Sequence, residues 1–133
     1  MTAYATVQQF DVHGIRPEAL PEGISETDKQ SAILAASLKA DSYLGSAFHL
    51  PLASWGEDLT QAVCAMAAYE LVAGLLIFQP DPAKNEVLTQ RRDAAIAWLK
   101  DIAAGRAKPT NVVDTAPAAS TVSRVFSRPL RGW

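Results

Sequence analysis

The chain is poor in the residues from which metal sites, disulfides and phosphate loops are built. Cys64 is its single cysteine in 133 residues, so no internal disulfide forms and the fold needs no oxidising compartment. The two histidines, His13 and His49, lie far apart with no thiol beside either, which excludes an ordinary zinc spacing. The seven glycines are isolated, and none precedes Lys-Ser or Lys-Thr, so there is no loop to cradle a phosphate. His-Glu-x-x-His, Cys-x-x-Cys and Gly-x-Ser-x-Gly do not occur, and with them go three common routes to hydrolysis or redox chemistry. Excess positive charge is missing too. Twelve Lys and Arg against fourteen Asp and Glu give a formal charge of -2, which removes whole-chain affinity for DNA or acidic membranes. The opening MTAYATVQQF has neither a basic region nor an apolar run, so no signal peptide is expected. The sequence therefore predicts no enzyme, no cofactor and no metal.

What is present is a globular composition, 49% hydrophobic and 20% charged, with charge spread unevenly. Residues 1–107 carry eight basic and thirteen acidic side chains, a net of -5. Residues 108–133 carry Lys108, Arg124, Arg128 and Arg131 against Asp114, a net of +3. After Pro109 the chain turns rich in Ser, Thr, Ala and Pro. This reads as a helical domain over 1–107 and an extended basic C-terminal arm over 108–133.

Periodicity predicts an all-α body: three main helices forming a small bundle, plus a short N-terminal one. The short helix spans about Thr6 to His13, with Thr6 as N-cap and Gly14 as terminator. For the second, Thr27 and Gln30 have capping-box spacing, and Asp28 suits the first turn. Ile33, Ala36, Ala40, Tyr43, Leu44 and Ala47 form its inner stripe, which Leu34 and Leu38 widen, and His49-Leu50-Pro51 closes it. The third helix is expected over Asp58 to Phe78, capped by Ser54 with Glu57 or by Asp58 with Gln61, and stopped at Pro80. Its body AVCAMAAYELVAGLLIF is apolar on every side except at Glu70. A membrane span needs about 20 apolar residues, so this shorter run reads as a helix central in a bundle or covered by neighbouring subunits. The fourth opens at Asp81-Pro82 and ends at Gly105, with Leu88, Arg91, Ala95, Trp98, Leu99 and Ile102 on its inner stripe.

Few residues stand out as functional. Cys64, on the most apolar helix, reads as a structural thiol. Glu70 either meets Arg91 or Arg92, within the subunit or across an interface, or lies at a solvent-facing edge. The arm is more informative, because SRVFSRPLRGW interleaves Arg124, Arg128 and Arg131 with Val125, Phe126, Leu130 and Trp133. Exposed Phe and Trp gain nothing in water, and Trp and Arg are enriched at interface hot spots. A partner-binding role is preferred over an arm folded back on its own bundle, or one that stacks on nucleic acid. Fully extended, its residues reach up to ~85 Å, well beyond a body with a radius of gyration of about 14 Å.

The order of these segments carries a resemblance. Tyr4-Ala5-Thr6 before a short helix, Tyr43 to Leu52 (YLGSAFHLPL), Ala95 to Gly105 (AIAWLKDIAAG) and Arg124 to Trp133 (RVFSRPLRGW) together resemble the Mu-like phage head–tail connector proteins, also called adaptor or head-completion proteins. That resemblance implies a structural virion protein of the head–tail neck, assembled in the host cytoplasm. It implies a dodecameric ring: copies arranged beneath the portal protein, extending the DNA channel and supporting a tail-completion or stopper protein. Genomic DNA would pass without sequence-specific binding, and no membrane would be involved. An acidic body suits such a conduit, since a strongly basic lumen would hold DNA. The alternative is a small helical DNA-binding or regulatory module that uses the basic arm.

Overall fold

The computed structural model describes residues 3–75 and 82–114. Four helices pack together beside a two-stranded sheet, in the order α1 (Val7–His13), α2 (Glu26–Leu44), β1 (Leu52–Ser54), α3 (Glu57–Leu75), α4 (Pro82–Ala103) and β2 (Val113–Asp114). The helical class expected from periodicity holds.

Local chemistry sets the helix ends. Thr6 caps α1 reciprocally: its hydroxyl accepts from the Gln9 N–H at 3.1 Å, and the Gln9 side chain accepts from the Thr6 N–H at 2.9 Å. Gly14 closes the helix, donating to the Phe10 carbonyl at 2.7 Å. In α2 the capping box is Ser25 with Asp28, at 3.1 and 3.0 Å, and not Thr27 with Gln30. An aspartate at the third helical position can reach back to the cap N–H as Glu or Gln does, so the helix starts two residues earlier than the sequence suggested. It also ends early, at Leu44. Ala47, placed on the inner stripe by its spacing, is therefore exposed in the following turn.

Helix α4 stops where expected, through a Schellman turn. Gly105 has φ +80; its N–H meets the Ile102 carbonyl at 3.1 Å, and the Arg106 N–H meets the Asp101 carbonyl at 2.7 Å. The predicted end of α3 at Phe78 and Pro80, and the Asp81 cap of α4, lie outside the described residues.

Helix α3 begins at Glu57, so Gly56 occupies the cap position instead of Ser54 or Asp58. The reason lies in the chain that returns past this end. A Cβ on Gly56 would sit 2.6 Å from both the carbonyl oxygen and Oγ1 of Thr110, so only glycine permits the approach. Asp58 fastens the same crossing, its carboxylate accepting from the N–H groups of Leu59 and Thr110, each at 2.8 Å. Beyond Thr110 the chain forms β2, antiparallel to β1 with an irregularity between Leu52↔Asp114 and Ser54↔Val113. The Asp114 carboxylate accepts from the His49 N–H at 2.9 Å, and Pro109 is buried. Residues 108–114, read from composition as the start of the arm, thus lie against the body. Strands of two and three residues are too short for alternation to reveal.

Helix α3 is the centre of the bundle. Leu59, Ala62, Val63, Cys64, Ala65, Met66, Ala67, Ala68, Leu71 and Val72 are all buried, because α1, α2 and α4 each pack against it. Of the two readings of its all-round hydrophobicity, a place central in the bundle is the one realised. Its apolar side chains from Leu59 to Val72 are buried within the chain. From α2 come Ile33, Ala36, Ala40 and Leu44, and from α4 Ala95, Leu99 and Ile102. The alanines let the helix backbones approach closely.

The N-terminal segment is locked into this core at Tyr4. Its ring is fully buried and meets Trp55 edge-on, with centroids 4.8 Å apart. The two buried polar side chains of the core, Ser37 and Thr60, both serve its backbone. Ser37 Oγ accepts from the Tyr4 N–H at 3.1 Å, and Thr60 Oγ1 donates to the Tyr4 carbonyl at 3.0 Å. The phenol donates to Asp41. Every polar group that Tyr4 takes into the core is satisfied, as burial requires.

Candidate functional site

The charged residues singled out in the sequence are distributed differently from expectation. Glu70 does not meet Arg91 or Arg92 within the chain. It pairs with Lys39 of α2 at 3.4 Å, both side chains being substantially exposed, so the pair contributes little. The reason is rotational: Glu70 lies with Leu71 on the edge of α3 that faces α2, in a groove shared with Asp28 of α2. Arg91 instead donates to the carbonyls of His13 and Gly14, strapping α4 to the end of α1. Arg92 lies 4.1 Å above the Tyr69 ring and pairs with Asp93 at 2.7 Å. His13 Nε2 contacts Glu57 Oε1 at 2.7 Å, tying α1 to the start of α3. Arg124, Val125, Phe126, Arg128, Leu130, Arg131 and Trp133 lie outside the described residues.

Cys64 is fully buried, and that burial pushes its thiol up to about 11, with the nearby Arg91 charge acting in the opposite direction and Glu57 adding to the rise. A thiol held protonated and out of water is no nucleophile. We expect a thiol-specific reagent at neutral pH to label Cys64 only as fast as the chain unfolds, with labelling accelerating in step with urea. Because the folded pKa is raised, the group contributes stability in full below pH 9, the ordinary value for a thiol here. That contribution is lost as pH rises through about 11, since the unfolded thiol ionises first. Urea melts across this window should show the wild type losing stability relative to Cys64→Ala; a constant difference between them would refute this assignment.

Among the described residues the surface includes grooves at three places and few exposed large apolar side chains. The first runs between the turn after α1 and the N-terminal half of α4, with a volume of about 390 Å³ and a lining that includes Ile15, Arg16, Val87 and Leu88. The second, also about 390 Å³, lies between the N-terminal segment and α2, and includes Glu26, Gln30 and Leu34. The third, about 260 Å³, lies between α2 and α3 and is edged by Asp28 and Glu70. Leu34 and Leu38, expected to widen the inner stripe of α2, point outward, 40% and 56% exposed. No group of three or more metal-capable side chains occurs among the described residues, and none of the helices among them is long and apolar enough to cross a membrane.

Such an arrangement defines a small helical protein whose apolar helix is buried internally along its described length. The chain belongs to the phage family described as Bacteriophage Mu, Gp36, whose model matches residues 5–126. No curated protein matches it. The family match takes in the described body from Ala5 onward and continues through Arg124, Val125 and Phe126.

Proposed function

We propose that this phage protein is a structural, non-enzymatic component of the virion: a head–tail connector whose copies form a ring under the portal protein, extend the DNA channel and support a tail-completion or stopper protein. The observation that carries the reading is the match to a Mu phage family over residues 5–126. It takes in the helical body and the first arginine of the arm as one unit. The body supports it further. With α3 enclosed by α1, α2 and α4, the chain is a finished building block whose associations must use its outer surface and its arm.

In this reading Arg124, Val125, Phe126, Arg128, Leu130, Arg131 and Trp133 hold the portal or a neighbouring copy, the arginines by charge and the apolar residues as anchors. Removing Arg124 to Trp133 is expected to leave the helical circular dichroism and urea midpoint of the body unchanged and to abolish attachment to portal-bearing heads. Attachment that survives the truncation would exclude the arm from this role. Tight, steeply salt-dependent binding of a DNA fragment by the isolated chain would instead favour a nucleic-acid module.

A further inference from the structure

The groove between the N-terminal segment and α2 combines apolar walls with a carboxylate. It holds about 390 Å³, and its lining includes Ala5, Val7, Ile33 and Leu34 together with Glu26. A cavity of roughly 150 Å³ accommodates a benzene ring, so the groove has space for an aromatic side chain. Leu34, one of its walls, stands 40% exposed. Glu26 is exposed and forms no ion pair among the described residues. The chain around it is of one sign: residues 17–28 carry Glu18, Glu22, Glu26 and Asp28 and neither Lys nor Arg. Lys29, the cation that follows, is already held by Asp11 at 2.8 Å.

The complementary chemistry lies in the chain's own terminus. Residues 115–133 carry Arg124, Arg128 and Arg131 and no acid. In an extended backbone alternate side chains share a face, which sets Arg124, Phe126 and Arg128 side by side. We propose that this triplet of one copy docks in the α2 groove of a neighbouring copy. Phe126 enters between Val7, Ile33 and Leu34, and the flanking arginines face Glu26 and the carboxylates that precede it. Charge favours the encounter, since an acid-free cationic segment meets a cation-free acidic one, and the aromatic ring anchors it. Geometry favours a neighbour over the same copy. The described chain ends at Asp114, held to the His49 N–H beyond the C-terminal end of α2, whereas Glu26 begins that helix. The 19 residues of α2 span ~28 Å, and the stretch from Asp114 to Phe126 covers ~40 Å only when pulled straight. An arm leaving one end and a groove at the other make a heterologous contact, which repeats into a ring or a filament. This deepens the reading above by committing the arm to a neighbouring copy, and rests on it for the premise that copies associate.

Cross-linking tests it on the purified full chain, with Phe126 and the arginines left in place. Gln30 also lines the groove and is exposed; Cys64 is buried and does not compete. Tagged Gln30→Cys copies mixed with untagged Ser127→Cys copies should give a mixed disulfide dimer under mild oxidation, and the double variant a ladder of higher species. Adding Phe126→Ala should cut the yield by about tenfold or more. Glu26→Lys should lower it as well, and combining that change with Arg124→Glu and Arg128→Glu should restore it. Unchanged circular dichroism checks that each variant folds. A double variant that closes only on itself, as a monomer, would overturn the proposal in favour of an arm lying on its own body. A mixture that never cross-links, or one indifferent to Phe126→Ala, would overturn it outright. Loss of this link with normal attachment to heads removes the contact and leaves the connector reading standing; the link without attachment does the reverse.

Discussion

Replacing Tyr4 by alanine is expected to lower the unfolding free energy by about 3–5 kcal/mol, a large part of the roughly 5–15 kcal/mol typical of a domain. Two effects add. The ring is fully buried against Trp55, so truncation leaves a cavity that neighbouring helices fill only in part. The phenol also satisfies Asp41, and a carboxylate stripped of its donor is costly where water is scarce. Tyr4→Phe separates the two effects: it keeps the ring and should cost only about 1–3 kcal/mol. Urea melts followed at 222 nm measure both. Equal losses for the two variants would mean that the hydrogen bond, and not the packing, holds the N-terminal segment. The same site gives a pH signature. Burial, then the hydrogen bond and negative charge of Asp41, raise the Tyr4 phenol well above its ordinary value of 10.0. The unfolded phenol therefore ionises first as pH rises past 10, and wild-type stability falls there. Tyr4→Phe should show no such fall from this group.

Placing a charge on α3 is expected to unfold the isolated chain. Ala67 is fully buried in the bundle's hydrophobic core, and Ala67→Asp would bring a carboxylate into it. An uncompensated buried charge costs at least about 3–5 kcal/mol. If α3 were instead a contact face reserved for other subunits, the same substitution would spare the monomer and block only assembly. Circular dichroism of the purified variant, with gel filtration, distinguishes these outcomes. A folded Ala67→Asp monomer would contradict the central position of α3.

Much of the fold was legible from particular residues. Thr6 before α1 and Gly105 at the end of α4 marked helix ends because caps answer to local backbone needs that residue type reveals. The hydrophobicity of α3 announced burial on all sides, though not what would bury it. Ser25 with Asp28 was missed because aspartate is a less common partner in that box. The role of Tyr4 carried no local signal: its partners Ser37, Asp41, Trp55 and Thr60 are 33 to 56 positions away. The candidate interaction surfaces were the least legible. Leu34 and Leu38 fell beside the inner stripe in a helical projection, and only the crossing of α2 over α3 turned them outward. Likewise Glu70 could be paired on paper with Arg91 or Arg92, whereas the packed helices present it to Lys39.

The sequence by itself determined a helical body, the Thr6 cap of α1 and the Gly105 stop of α4, a lone cysteine on the most apolar helix, and a terminal run of arginines and aromatics, because these follow from local propensity, spacing and composition. Tertiary structure alone decided that the apolar helix is enclosed by its own chain along its described length, that residues 108–114 return to pack beside Gly56 and β1, and that Leu34 and Leu38 face outward. Those outcomes depend on how helices rotate and cross, and crossing is set by contacts between residues distant in sequence, which no local pattern encodes.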